Sequence, residues 1–274
     1  FLESVTMLTI TKALVAGLAT FGAVQALPQQ PRAAPPATTP IPPAPPATED
    51  KVKLFGDLFT APTAVKRFQR LLTDAGSLIS GDALKQRVVF DFNGAQPAKG
   101  ALGGATKAAN IETFPILTGL GLSTTVGFLD ACGMNTPHVH PRATEFLTLT
   151  SGTLDFGYVL ENGLVDAGNN AEVANRLQQF QGTVFPMGSI HYQVNPNCEP
   201  ATFVASLNSE DPGTSQVAQG FFGLNAGVVD ATLGFPGQIN GKNFEEFRGV
   251  IPANIARGID ECLVKCGLKG EKGY

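Results

Sequence analysis

Positive charge is scarce in this sequence and is nowhere concentrated. The 274 residues include 19 Lys and Arg against 23 Asp and Glu, which gives a net charge of -4. No block of basic residues occurs. Nucleic-acid binding depends on clustered cationic side chains that neutralise phosphates. The composition therefore argues against a nucleic-acid partner.

Several signatures of catalysis are also missing. The chain has no G-x-S-x-G nucleophile elbow, no phosphate-binding loop and no dinucleotide-binding fingerprint. These motifs place a nucleophile or a phosphate at the start of a helix, so the chemistry that depends on them is not predicted. We also find no internal repeat.

The first 26 residues have the organisation of a secretory signal peptide. From Met7 the chain has one Lys, an apolar run from about Ala13 to Val24, and a small residue at Ala26. The run is shorter than a bilayer-spanning helix and prolines follow it, which favours a cleaved signal over a membrane anchor. We expect residues 1–6 to lie upstream of a signal cut after Ala26. The mature protein is then secreted, extracellular or cell-wall associated, with no membrane segment.

Residues 27–50 hold nine of the chain's 20 prolines. They include no aromatic residue and no hydrophobic period, so they cannot bury enough surface to offset the entropy of ordering. We interpret the segment as a disordered or polyproline II stalk. Its role as a propeptide or as a glycosylated spacer stays open. Residues 51–274 are expected to form a single domain.

The folded part is predicted to be all-β, with helices at both ends. Between about residues 87 and 235, short runs rich in Val, Phe, Thr and Leu are separated by Gly, Pro, Asn and Asp, which is typical of a sandwich or barrel. The predicted strands are RVVFDF, IETFPIL, LSTTVGFLD, EFLTLT, TLDFGYVL, GTVFP, IHYQV and ATFVASL. Helical spacing predicts helices from Lys51 to Gly76, with Gly76 as the cap, at NFEEFRGV, and over IPANIARGIDECLVKCG.

Histidine occurs only three times, in two short segments. His138 and His140 are two residues apart, so on a strand both face the same side and can share a metal ion. Glu145 reaches that side only if the chain breaks or bulges at Pro141. His191 would come from a second strand. Three imidazoles and one carboxylate form a mixed set that suits Mn, Fe, Ni, Cu or Zn. The alternative is a polar strand plus an ordinary core histidine.

These two segments resemble the two motifs of the cupin superfamily, specifically its germin-like and fungal spherulin-like members. The first motif, G-x5-H-x-H-x3–4-E-x6-G, is matched by His138, His140, Glu145 and Gly152. The second, G-x5-P-x-G-x2-H-x3-N, is matched by Pro186, Gly188, His191 and Asn195. The opening glycine of each motif is replaced, by Cys132 and by Phe180.

The resemblance implies a cupin jelly-roll β-barrel with flanking N- and C-terminal helices that join subunits. It also implies a metal, commonly manganese(II), on His138, His140, Glu145 and His191, and a homo-oligomer such as a dimer, trimer or hexamer. The best-known activity of the family is oxalate oxidation. One of two asparagines that position oxalate in germin is matched by Asn135, whereas Thr125 stands at the position of the other.

The four cysteines, which follow a predicted signal peptide, are expected to form disulfides. If the two motif strands pair antiparallel as in the family, Cys132 comes close to Cys198, and we favour a bridge between them. The alternative is that each is joined to the tail, where Cys262 and Cys266 are four residues apart.

Two hypotheses of function follow. In the first, the protein is a secreted manganese-binding cupin with redox activity on a small-molecule ligand or a dioxygen species, of the superoxide dismutase or oxalate oxidase type, in which Asn135 orients the ligand. In the second, it is a non-catalytic wall, coat or stress protein whose metal is structural. Thr125 favours the second.

Overall fold

The computed structural model describes residues 49–234 and 243–268. The predicted signal peptide and nearly all of the proline-rich segment lie outside these residues. The helices are α1 (Glu49–Thr60), α2 (Ala64–Leu72), α3 (Gly81–Val88), α4 (Val217–Phe221), α5 (Ala226–Thr232), α6 (Phe244–Val250) and α7 (Asp260–Lys265), with a 3-10 turn at Pro115–Leu117. No described helix is long and apolar enough to cross a membrane.

The strands form two antiparallel sheets and a small hairpin. In chain order they are β1 (Thr73–Asp74), β2 (Ser77–Leu78), β3 (Gly104–Ala109), β4 (Ser123–Leu129), β5 (Gly133–Val139), β6 (Glu145–Ser151), β7 (Thr153–Val159), β8 (Val173–Gln178), β9 (Gly182–Phe185), β10 (Ile190–Val194), β11 (Ala201–Leu207), β12 (Ser215–Gln216) and β13 (Ala256–Arg257). One sheet has the order β12-β5-β10-β7-β8, with β13 also paired to β5. The other has the order β3-β4-β11-β6-β9. This is the jelly-roll architecture that the resemblance implies.

The core lies between the two sheets because their strands alternate in polarity. Along β6, Leu147 and Leu149 are fully buried whereas Phe146, next to Leu147, is exposed. Along β11, every second residue is buried in the same way. Successive side chains of a strand face opposite sides, so one side of each sheet is apolar. The core members come from both sheets and include Leu129, Leu147, Leu149, Leu154, Phe156, Phe185, Phe203 and Leu207.

The helix predicted from Lys51 to Gly76 is in fact two helices. Pro62 lies between them. Thr63 then caps the N-terminus of α2, and its Oγ1 accepts a hydrogen bond from the Lys66 N–H at 3.3 Å. Gly76 adopts a left-handed φ of 84° in the β1–β2 hairpin and does not cap a helix. The helical spacing was predicted correctly, but Pro62 and the Thr63 cap divide the segment into two helices.

The first two predicted strands are wrong. RVVFDF overlaps the end of α3 and continues without regular structure, and its Phe90 contacts Phe92 and Phe114 instead of lying in a sheet. IETFPIL forms a turn followed by the 3-10 turn. There Asn110 Oδ1 accepts the N–H groups of Glu112 and Thr113, both at 3.0 Å, and this bends the chain locally.

The long C-terminal helix is also wrong in its first half. Only α7, at Asp260–Lys265, is helical. Residues 251–258, here called the C-terminal strap, contain Pro252 and Gly258, which disfavour a helix. The strap runs extended instead and adds β13 beside β5.

The predicted Cys132–Cys198 bridge is wrong, and the alternative is correct. Cys132 is bonded to Cys262, and Cys198 to Cys266. The two motif cysteines are neighbours as expected, because the Cys132 N–H donates to Asn197 O at 3.1 Å. However, α7 lies against both of them and supplies one partner to each.

We predict that packing at β6 is strongly face-dependent. Leu147→Ala should lower the free energy of unfolding by about 2–5 kcal/mol, because it leaves a cavity in the core. Phe146→Ala, next to it, removes a larger side chain that is 54% exposed and should cost less than about 1 kcal/mol. Chemical denaturation checks both. Equal losses of stability in the two variants would contradict the assignment of Leu147 to the core and Phe146 to the surface.

We predict that a tryptic digest without reduction resolves the disulfides. Trypsin cleaves after Lys265, so it separates Cys262 from Cys266. Mass spectrometry should find the Cys132 peptide linked to the Cys262 peptide, and the Cys198 peptide linked to the Cys266 peptide. A Cys132–Cys198 linkage would contradict the structure.

Candidate metal centre

The first two histidines of the site lie at the end of β5. His138 is in the strand, and His140 follows its last residue, Val139. Both imidazoles are largely buried, with 3% and 9% of each residue exposed. Their ring centroids are 5.1 Å apart. The spacing of two residues therefore places both rings on the interior side, as predicted.

Glu145 enters from the other sheet. The chain leaves β5 after Val139, turns through Pro141, and begins β6 at Glu145 itself. The predicted break at Pro141 is thus a crossing between sheets and not a bulge within one strand. Arg142 in this connection pairs with Asp211 at 2.8 Å, which ties the loop to the chain that follows β11.

His191 lies on β10, directly opposite His138 in the antiparallel pairing of β10 with β5. It is 1% exposed. Its ring stacks on Phe185, with centroids 4.4 Å apart and an angle of 12° between the planes. The register therefore brings the two motifs together, and Phe185 packs against one face of the His191 ring.

Backbone carbonyls determine which nitrogen of each ring carries the proton. The Nδ1 atoms of His138, His140 and His191 lie 2.8, 2.6 and 3.0 Å from the carbonyl oxygens of Thr136, Gly213 and Ser189, respectively. A carbonyl oxygen only accepts hydrogen bonds, so each Nδ1 must donate. In the neutral rings, the lone pair is then on Nε2.

The donor atoms converge. Glu145 Oε2 is 2.9 Å from His140 Nε2 and 3.5 Å from His191 Nε2. His191 Nε2 is buried and makes no hydrogen bond with any described residue. One donor atom from each of the four residues can be chosen so that all lie within 4.8 Å of one another. Three neutral nitrogens, held by hydrogen bonds at their far side, and one carboxylate form a set that fits a transition-metal ion.

The ionisation of His138 and Glu145 matches this donor set, whereas in the metal-free site Glu145 favours a proton on His140. Burial, together with the neighbouring His191, lowers the pKa of His138 to about 3, so this ring is neutral. Burial alone would raise the pKa of Glu145, but the contacts with His140 and His191 outweigh it and lower that pKa to about 2. Burial alone would lower the pKa of His140, whereas the hydrogen bond and charge of Glu145 raise it. The carboxylate is therefore negative and ready to bind a cation.

A cavity of about 280 Å³ opens beside these residues. It is lined by Thr106, Ala108, Thr125, Asn135, His138, His140, Glu145, Phe203, Ala205, Leu207, Thr214, Gln216 and Asn254. Asn135 and Thr125, both singled out from the sequence, therefore share one cavity with three of the four donors. Its volume suits a small molecule with a few heavy atoms.

Other polar residues of the site were not predicted. Gln193 accepts a hydrogen bond from Asn135 Nδ2 at 2.7 Å, and Asn254 Nδ2 donates to Asn135 Oδ1 at 2.8 Å. Gln193 lies two residues after His191, so the strand period could have placed it on the interior face. No sequence pattern pointed to Asn254, which belongs to the C-terminal strap.

The two motif positions that lack glycine keep a backbone conformation that favours glycine. Cys132 has a φ of 56° and Phe180 a φ of 65°. This left-handed region costs a non-glycine residue about 1–2 kcal/mol. The replacements therefore change the side chain while leaving the turn before each motif intact.

Comparison with known sequences identifies relatives along most of the chain. The profile of the Cupin family matches residues 92–241. Spherulin-1B of Physarum polycephalum is 36% identical over 235 residues, which cover 85% of this chain and 86% of that protein. Spherulin-1A of the same organism is 37% identical over 81% of this chain and 82% of that protein.

A shorter match is found to a plant protein. Germin-like protein 8-9 of Oryza sativa subsp. japonica is 39% identical over 125 residues, 45% of this chain and 54% of that protein. Among solved structures, a recombinant oxalate oxidase in complex with glycolate superimposes with a TM-score of 0.48 at 25% identity, over 65% of this chain and 90% of that one. From the family match and the spherulin relatives, the chain belongs to the cupin family, in its germin- and spherulin-like group.

Proposed function

We propose that this chain is a secreted manganese-binding cupin that carries out redox chemistry on a small oxygen-containing molecule, either superoxide or a small carboxylate such as oxalate. One observation carries the proposal. Three Nδ1 atoms donate to backbone carbonyls, so three Nε2 lone pairs and the Glu145 carboxylate converge at the edge of a polar cavity.

Four protein ligands leave positions open on a six-coordinate ion. A bound manganese ion would supply Lewis acidity and a one-electron redox couple at those positions. Glu145 contributes one negative charge, and Phe185 closes the side of the site behind His191. Asn135 lines the cavity, and we infer that its amide orients a ligand by hydrogen bonding.

The choice of manganese rests on the resemblance to germins. The three nitrogens and one carboxylate suit several divalent transition metals, and oxygen ligands such as carboxylate and water favour manganese among them. Elemental composition of the native protein decides between these metals.

Secretion is supported by two features. The sequence from Met7 to Ala26 has the pattern of a signal peptide. All four cysteines are paired in the structure, and disulfides persist mainly in oxidising compartments.

Self-association is the further part of this proposal. Apolar side chains remain exposed on the described surface, among them Phe146, Val184 and Ile190. A homo-oligomer of two, three or six chains would cover such groups. Light scattering of the purified protein measures the number of chains.

A second candidate function is favoured by Thr125. This residue lies in the cavity wall where a germin-type oxidase would place a second asparagine. A hydroxyl offers one donor and is shorter than an amide, so oxalate would be held less firmly. In this case the metal stabilises the fold of a non-catalytic extracellular protein.

We predict that removing one ligand abolishes metal binding. Protein purified with manganese should hold about one ion per chain, whereas His138→Ala and Glu145→Gln should each hold less than about a tenth of that, because the remaining donors are incomplete. Glu161→Gln, in an exposed loop, is the matched control and should keep full occupancy. Mass spectrometry of the metal measures all four proteins. Retained stoichiometric metal in both ligand variants would refute the assigned site.

We predict measurable turnover by the manganese-loaded protein in at least one of two assays, superoxide consumption or peroxide release from oxalate and dioxygen. Thr125→Asn should raise peroxide release several-fold by adding an amide to the cavity wall, whereas Thr125→Ser keeps the hydroxyl and should change it little. Absence of both activities at full metal occupancy would favour the non-catalytic candidate.

A further inference from the structure

The C-terminal strap is held firmly at the end of the jelly roll. Ile255 is 3% exposed and belongs to the main core, and its carbonyl accepts the N–H groups of Leu102 and Gly103 at 3.1 and 3.0 Å. Ala256–Arg257 pairs with β5. The Cys132–Cys262 bridge lies four residues beyond Gly258, where the strap ends. The strap therefore places Asn254 at a defined position in the cavity wall.

The pairing of β5 leaves one backbone donor for this asparagine. On one edge of β5, β12 pairs with His138 and Val139, and β13 pairs with Gly133 and Met134. On the other edge, the register with β10 shifts between Asn135 and His138, so that three steps on β5 match two on β10. Thr136 lies within this irregularity. Its N–H donates to Asn254 Oδ1 at 2.8 Å.

That contact fixes the direction of the Asn254 amide. A backbone N–H can only donate, so it is the oxygen of Asn254 that must face Thr136, and the nitrogen then faces Asn135. Asn254 Nδ2 accordingly donates to Asn135 Oδ1 at 2.8 Å. The orientation of an amide that could otherwise be reversed is thus set by the main chain.

The directions of the Asn135 and Gln193 amides follow in the same way. Because Asn135 Oδ1 accepts from Asn254, its Nδ2 points to the other side, where it donates to Gln193 Oε1 at 2.7 Å. Gln193 is fully buried, and its Nε2 has no hydrogen-bond partner within residues 49–234 and 243–268. The chain of amides thus runs from a backbone donor to a buried donor that lacks an acceptor.

The buried amide of Gln193 shares the interior face of β10 with the metal ligand His191. Gln193 follows His191 by two residues on β10, so both side chains face the interior, and Asn135, which bonds to Gln193, lines the cavity. A buried N–H without an acceptor is unfavourable until an oxygen atom fills its place. A carboxylate or another small oxyanion supplies such an atom.

We propose that Asn254 is a positioning residue: it sets the direction of the Asn254–Asn135–Gln193 amide chain, so that Gln193 Nε2 serves as a hydrogen-bond donor to an oxygen of a small anionic ligand. The inference rests on the proposed function, because it requires an anion beside the metal. It adds that a segment outside the two sequence motifs determines how that anion is held.

The test measures binding of oxalate to protein of verified metal content. Zinc-loaded protein labelled with ¹⁵N allows calorimetric affinity and the side-chain NH₂ signal of Gln193 to be followed on the same sample. Oxalate should shift that signal in the natural sequence. Asn254→Ala should lower oxalate affinity about tenfold, the scale of one hydrogen bond to a charged group, and should abolish the shift while metal content stays full.

Gln219→Ala is the matched control. Gln219 Nε2 donates to Pro252 O at 2.8 Å, so this variant removes an anchor of the strap without touching the amide chain. It should retain both the affinity and the Gln193 shift. Equal loss in Gln219→Ala and Asn254→Ala would overturn the proposal, because the strap would then act only as a support.

Asn254→Asp provides a second variant if Asn254→Ala does not fold. It keeps the shape and the acceptor for the Thr136 N–H but removes the donor to Asn135, so the Gln193 shift should again be lost. An unchanged affinity and an unchanged shift in a folded Asn254 variant would overturn the role of Asn254 and leave the proposed function standing. Failure of the natural sequence to bind oxalate with either manganese or zinc would instead count against anion binding at the metal, and with it against both proposals.

Discussion

The pairing of β5 with β10 is the constraint on which the site depends. It places His138 opposite His191, although the two residues are far apart in sequence. A slip of one residue would turn one of these imidazoles to the other face of the sheet. The same pairing contains the irregularity that leaves the Thr136 N–H to Asn254, and it brings Gln193 beside Asn135. The metal donors and the polar wall of the cavity therefore follow from one register.

Much of the site could be predicted because strands have a short period and histidine is rare in this chain. The ligand set, the later strands and the break near Pro141 all follow from local patterns. The tail could not be predicted in this way. Its apolar spacing between Ile251 and Gly267 favours a helix, but pairing with β5 and burial of Ile255 outweigh that preference. The role of Asn254 and the disulfide partners depend on how the tail docks, which is a long-range property without a local signal.

At the two motif positions where glycine is replaced, the backbone conformation is kept although the residue type is not. Cys132 and Phe180 both keep the left-handed backbone, so the turns that introduce β5 and β9 are preserved despite the altered side chains. At Cys132 the side chain that strains the backbone also forms a crosslink to Cys262. The exposed Phe180 has no comparable bond, and the structure does not explain why a large residue is present there.

The disulfides also have a consequence for the order in which the molecule matures. They join residues separated by 130 and 68 positions, and their partners on the sheet side meet only after the jelly roll has formed. Oxidation of cysteines takes seconds to hours, whereas strand pairing in small domains is much faster. We therefore expect a newly made chain to bring its three imidazoles and its carboxylate together first, and to fix the tail beside the cavity later. The donor set would then form before Asn254 takes its position in the cavity wall, and the oxidising power of the surroundings would set the length of that interval.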